Sequence, residues 1–290
     1  MVTGLRAGGQ GRPGLVSTRF RGLPFARERG AAVKIACGQF APTTGAVRHN
    51  SDIMRAMVAD AGRAGAEVVV FPELCLCGYP TAGEAPGLAV APDGPEIGEV
   101  RAAARQERVA AAFGFAEKGA DGVLYNSMAF VGSDGALVSV YRKVHLWVTE
   151  RAWAVPGSSF TAFDAMGRRV GMWICYDTRF PETARTLARA GAVVGLAGSA
   201  WFGPAPEWEL ALRSRALDNG IFVAGAVLLG RFGEAPFRGE SMVVDPHGAV
   251  LARARPGSEE LIVADCDMTA VATFRARLPL LDDLRPGAYG

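Results

Sequence analysis

The sequence predicts an α/β fold: a single domain built on two sheets, each covered on its outer face by helices. Three observations predict it. Helix-like and strand-like segments alternate through both halves of the 290 residues. No polar linker separates the halves. Three apolar strand-like runs (68–71, 137–141 and 170–174) each lead into a chemically potent residue, as strands of an α/β sheet do.

The domain is predicted to span 33–290, after an N-terminal tail, 1–32, that is rich in Gly and Arg, lacks periodicity and reads as flexible. This tail has no apolar central stretch of the secretory type. Residues 33–40 form the first strand, 41–45 a turn ending in Gly45, and about 47–64 a helix. Residues 67–71 are a second strand, apolar enough to be enclosed. Several Gly and Pro residues make 74–92 a long loop, a common location for specificity elements. A helix opening on Pro95 runs to 107. Strands follow at 109–117, 124–132 and 136–141, the last two joined by the hairpin turn Ser133-Asp134-Gly135. The second half predicts strands at 160–163, 169–174, 193–196, 221–227, 240–244, 250–253 and 260–265. Asp245-Pro246-His247-Gly248 is its hairpin turn. Helices are predicted at 181–190 and 207–219, helical turns at 268–277, and a tail at 278–290 carrying Pro279 and Pro286.

Half of the residues are hydrophobic, enough for a sizeable core. The net charge is +2, with 31 basic and 29 acidic residues interspersed, so nothing resembles a nucleic-acid footprint. No run approaches a membrane span. Five cysteines form an odd set without a tight framework, which points to reduced thiols in a cytoplasm. Cys75 and Cys77 lack a second ligand pair, which argues against zinc.

The chemistry collects where apolar runs end, the usual place for active groups in an α/β sheet. Glu73 follows Phe71-Pro72; an adjoining apolar strand raises its proton affinity and suits it to act as a general base. Lys143, in Tyr141-Arg142-Lys143, can donate to a developing oxyanion. Cys175 ends Gly171-Met172-Trp173-Ile174-Cys175 at a sharp turn, where a following helix start and Lys143 are expected to favour the thiolate. Taken singly, each has an ordinary alternative: a solvated glutamate, an exposed cation, an inert buried thiol. Together they suit cleavage of a carbon–nitrogen bond. His145 allows a Cys–His reading but is expected instead to support Lys143 locally.

FPELCLCGYP (71–80), YRKVHLW (141–147) and CYDTRFPE (175–182), in that order, with WELALRSRALDNGIFV (208–223), resemble the nitrilase superfamily of carbon–nitrogen hydrolases. The resemblance covers the chain from Val33 onward. It implies a four-layer αββα sandwich of two mixed sheets flanked by helices. It also implies a triad of Glu73 as general base, Lys143 as oxyanion stabiliser and Cys175 as nucleophile. Glu150 takes the family's second glutamate position, orienting Lys143, and the backbone N–H of Tyr176 completes the oxyanion site. No metal or organic cofactor is implied.

Tyr176-Asp177 after the cysteine resembles the amidase and carbamoylase branches; true nitrilases usually carry Trp-Glu there. The expected substrate is a small carboxamide, with an N-carbamoyl compound as the alternative; nitrile cleavage, acyl transfer and a non-hydrolytic scaffold are lesser readings. Arg179 is a candidate for a substrate carboxylate or for a salt bridge to Glu182. Tyr79, Trp147, Trp201 and Phe202 are candidate walls of an apolar acyl pocket. Gly198 stands where many relatives place Pro. Family members commonly pair through segments that correspond here to 181–190 and 274–289, so a homodimer or higher homo-oligomer is expected.

Overall fold

The computed structural model describes residues 32–288, so the predicted N-terminal tail lies outside the described residues except for its last position. In chain order the elements are β1 (Ala32–Gln39), α1 (Val47–Arg63), β2 (Val68–Val70), the single turn α2 (Ala85–Leu88), α3 (Pro95–Glu107), β3 (Ala110–Lys118), β4 (Leu124–Val131) and β5 (Leu137–Arg142). The second half continues with β6 (Phe163–Ala165), β7 (Arg168–Ile174), α4 (Pro181–Arg189), β8 (Val194–Ser199), α5 (Ala205–Asn219), β9 (Phe222–Val227), β10 (Leu229–Phe232), β11 (Ala235–Arg238), β12 (Met242–Val244), β13 (Val250–Arg253), β14 (Glu260–Asp267) and α6 (Thr269–Arg277).

Two six-stranded sheets carry the fold, in the orders β14-β1-β2-β3-β4-β5 and β13-β12-β9-β8-β7-β6. Both are mixed. β1, β2 and β3 run parallel, as do β7, β8 and β9, and the flanking strands are antiparallel. The sheets face each other, with β1 against β9, β3 against β8 and β4 against β7. Helices α1 and α3 cover the first sheet and α4 and α5 the second, which completes the αββα sandwich.

The three valines of β2 show why an unbroken apolar run is needed here. Val68 and Val70 enter the core between the sheets with Met172 and Leu196. Val69 faces the other way, into the layer beneath α1 and α3 with Met54, Val58, Ile97 and Val100. A strand buried on both faces cannot alternate with polar residues. Each buried valine contributes roughly 1.5–3 kcal/mol.

Several segments depart from the sequence expectation. The strand predicted at 160–163 lies instead at Phe163–Ala165, because Phe160 stacks on Tyr141 and His145 rather than pairing in the sheet. The hairpin β10–β11 was not predicted; Gly230, Gly233 and Pro236 disguise its strands, and Pro is tolerated because the ribbon stands outside the main sheets. The loop 74–92 includes α2. In the C-terminal tail Leu278 and Leu280 are exposed, whereas Leu281 packs against the inter-sheet core. Among the described residues no helix is long and apolar enough to cross a membrane.

Candidate active site

Glu73, Lys143, Glu150 and Cys175, from four separate stretches of chain, meet at one end of the facing sheets. The first three side chains are fully buried and Cys175 is nearly so. Glu73 sits three residues beyond β2. Its backbone passes between β3 and β8 at two glycines, of which Gly114 is indispensable and Gly198 eases a tight approach. A Cβ on Gly114 would lie 2.3 Å from the Leu74 nitrogen, and one on Gly198 would lie 3.0 Å from the Glu73 nitrogen. Gly198, the departure noted above, thus makes room for the carboxylate's backbone. Leu74 then turns through the left-handed region at φ 53°.

Lys143 follows β5, where its N–H donates to the Asn126 carbonyl (2.8 Å). Its Nζ donates to Glu73 Oε1 (2.6 Å) and Glu150 Oε1 (2.7 Å). Glu150 opens a short 3₁₀ turn, Glu150–Ala152, and also accepts from Tyr79 O–H (2.8 Å) and the Trp147 N–H (2.9 Å). Glu73 is held at both ends. Oε1 accepts from Lys143 and from Asn126 Nδ2 (2.8 Å), and Oε2 accepts from the Ala200 N–H (2.8 Å).

Cys175 follows β7 with φ 45°, a left-handed conformation uncommon for a non-glycine residue and frequent at functional sites. Its Sγ lies 3.7 Å from the Ala200 carbonyl oxygen. The turn beyond it, Cys175–Arg179, is 3₁₀, and α4 begins only at Pro181. Buried Asp177 ties this turn down. Its Oδ2 accepts from the Ile174 N–H (3.1 Å) and Tyr141 O–H (2.6 Å), and its Oδ1 accepts from the His145 N–H (2.9 Å) and contacts His145 Nδ1 (2.8 Å). His145 therefore serves the cysteine turn rather than Lys143, and it also stacks face to face on Phe180 at 3.6 Å.

Electrostatically, two carboxylates and a thiol surround one ammonium. Burial raises the proton affinity of Glu73, Lys143 opposes this and Glu150 adds to it, leaving Glu73 at about 7. Burial acts to raise Glu150 as well, but Lys143 and the donors from Trp147 and Tyr79 hold it below the ordinary carboxylate range. Burial acts to discharge Lys143, and the charges of Glu150 and Glu73 overcome it, so the amine stays an ammonium. Burial and the Glu73 charge push the Cys175 thiol well up against the pull of Lys143. This corrects the expectation of a favoured thiolate: no α-helix starts directly at the sulfur, and a carboxylate stands beside it. The resting site holds a thiol and needs a base. Among the described residues no cluster of three or more His, Cys, Asp or Glu is arranged to hold a metal ion.

The residues singled out as pocket walls divide. Tyr79, Trp147 and Phe202 gather: Phe202 meets Tyr79 edge-on at 5.4 Å and stacks on Trp147 at 5.9 Å, and Trp147 meets Tyr176 at 4.9 Å. The unpredicted hairpin adds Phe232 and Phe237 to this aromatic wall. Trp201 turns away to pack on Trp208 at 5.2 Å. Arg179 pairs with Glu207, not Glu182, and lies over the Trp201 ring at 4.6 Å. A cleft of about 430 Å³ opens beside Tyr176, lined by His145, Leu146, Arg151 and Phe180. A larger one of about 480 Å³ runs past Ser139, Arg142 and Thr161, and Cys175 lines neither cleft.

Sequence reasoning missed Asn126, Asp177 and the Ala200 N–H. Asn126 offered a faint signal, an amide beside Ser127 in a strand whose remaining residues are apolar or aromatic. A backbone N–H offers none.

The carbon-nitrogen hydrolase family matches residues 34–276. The chain is 36% identical over 260 residues to an (R)-stereoselective amidase of Pseudomonas sp, covering 87% of this chain and 92% of that protein. It is 34% identical over 248 residues to the omega-amidase of Mus musculus, covering 80% and 88%. An amidase of Nesterenkonia sp. AN1, solved as a double mutant in complex with acrylamide, superposes with a TM-score of 0.81 at 26% identity, covering 90% of this chain and 97% of that one. Another mutant of that amidase carries the acetamide moiety of fluoroacetamide covalently on its active-site cysteine.

Proposed function

Because the chain belongs to the carbon–nitrogen hydrolase family, we propose that it hydrolyses a small carboxamide to a carboxylic acid and ammonia through a thioester on Cys175. The observation that carries this reading is the fully buried ammonium of Lys143 held between Glu73 and Glu150 at the turn bearing the thiol. Glu73 takes the proton from Cys175, and the sulfur attacks the amide carbon. Lys143 and the Tyr176 N–H hold the oxyanion. Glu73 then hands its proton to the departing nitrogen, and the C–N bond breaks. A water that gives a proton to Glu73 attacks the thioester carbon, the C–S bond breaks, the acid leaves and Glu73 returns the proton to the Cys175 sulfur. Glu150, paired to Lys143 and pinned by Tyr79 and Trp147, keeps the ammonium oriented.

A carboxamide is favoured over an N-carbamoyl amino acid because Arg179, the candidate clamp for a substrate carboxylate, is already engaged by Glu207. The aromatic wall of Tyr79, Trp147 and Phe202 suits an uncharged acyl group. The test is incubation with carboxamides, N-carbamoyl amino acids and nitriles, with ammonia assay and mass mapping of Cys175. The expected result is ammonia from a carboxamide and an acyl mass gain on Cys175. Carbon dioxide released with the ammonia moves the assignment to a carbamoylase, and a mass gain on another residue overturns the mechanism.

A further inference from the structure

We propose that Asn126 is a positioning residue that confines proton transfer to a single oxygen of Glu73. The proposal rests on Glu73 being the base of Cys175. Asn126 lies within β4 and is fully buried. It holds two members of the site at once: its carbonyl accepts the Lys143 N–H at 2.8 Å, and its Nδ2 donates to Glu73 Oε1 at 2.8 Å.

Counting acceptor sites shows the consequence. A carboxylate offers about four lone-pair positions, two on each oxygen. Lys143 and Asn126 use both on Oε1, and the Ala200 N–H uses one on Oε2. The position left open is on Oε2. Ala200 also places its carbonyl oxygen 3.7 Å from Cys175 Sγ, so the residue that holds Oε2 also borders the sulfur. The thiol proton is therefore received at Oε2. Without Asn126, Oε1 regains an open position next to the ammonium and the carboxylate loses a donor that favours its ionised form.

A second observation sets Asn126 apart from a packing residue. Its Oδ1 is buried without a partner. The one polar contact its side chain makes is thus the bond to Glu73.

The test is the rate of Cys175 alkylation by iodoacetamide, mapped by mass spectrometry between pH 5 and 9, in the wild type, N126L and N126D, with melting curves and with kcat/KM on a carboxamide. The other charged or titratable groups facing Glu73 are Lys143, Glu150, Cys175 and Tyr79, all unchanged in these variants. The wild-type rate is expected to rise through pH 7. In N126L the rise shifts upward by about one pH unit and the rate at neutral pH falls about tenfold. In N126D, which is isosteric and decides the matter if N126L does not fold, the added carboxylate shifts the rise the same way. Variants that fold and keep both the wild-type rise and its rate within twofold overturn the proposal. Alkylation needs no turnover, so a protein that hydrolyses no carboxamide sinks the functional reading and still tests Asn126.

Discussion

The Glu73 turn and the Cys175 turn look alike in outline. Each follows a buried parallel strand, and each contains a non-glycine residue in the left-handed region, Leu74 at φ 53° and Cys175 at φ 45°. They differ in what is clamped. At the first turn the functional side chain is fixed by three donors and its backbone is enclosed by two glycines. At the second the backbone is fixed, through Asp177, while the sulfur meets the Ala200 carbonyl at a long 3.7 Å. In the proposed mechanism Glu73 receives a proton twice per cycle and benefits from a fixed position, whereas the Cys175 sulfur must travel from thiol to tetrahedral carbon to thioester and benefits from a fixed backbone beneath a side chain left free to move.

That contrast can be broken at its two ends. C175A removes the only attacking atom, and turnover is expected to fall by about 10⁴-fold or more with no acyl adduct. E73Q keeps the side-chain volume but removes the base, and alkylation of Cys175 should slow along with turnover. An E73Q protein whose thiol alkylates at the wild-type rate would show that the clamp is structural only.

K143M leaves two buried carboxylates without their ammonium. Breaking a buried pair in this way costs about 3–5 kcal/mol, read as a lowered denaturant midpoint. An unchanged midpoint would mean that Glu73 and Glu150 are not held by Lys143 in solution.

The pH profile tests the charge assignment. Glu73 must be ionised to accept the thiol proton, and burial places its ionisation at about 7 rather than in the ordinary carboxylate range. kcat/KM should therefore climb with pH through about 7 on its acidic limb. A limb near 4.5, the ordinary glutamate value, would refute the raised affinity.

The smallest expected effect separates the two left-handed residues. C175G relieves backbone strain and removes a small side chain, so the net change stays within about 1 kcal/mol. L74G relieves similar strain but empties a fully buried site, with an expected net loss of about 2–4 kcal/mol. Equal melting temperatures for the two would erase the distinction.

Much of the sandwich was legible from local patterns, and Glu73, Lys143 and Cys175 each stand where a strand-like run ends, whereas Glu150 was placed only by the resemblance. The strands before Glu73 and Cys175 are buried apolar runs, while β5 before Lys143 is half-exposed. The supporting parts were hidden for separate reasons. The Ala200 N–H carries no side-chain identity. Asn126 gains its partner from two strands away in its own sheet and Asp177 from the facing sheet, 53 and 36 positions off in sequence. Trp201 and Phe202 are adjacent in sequence, and only the backbone beyond β8 sends one into the core and the other to the aromatic wall. The β10–β11 hairpin was concealed because glycine and proline mark turns more often than short ribbons.

The bond from Ala200 to Glu73 joins residues 127 positions apart, and it closes only when β2 and β8 have come together. Glu73 and Lys143 belong to the first sheet and Cys175 to the second, so the four groups are brought together only by pairings of long sequence separation, the slowest kind to form.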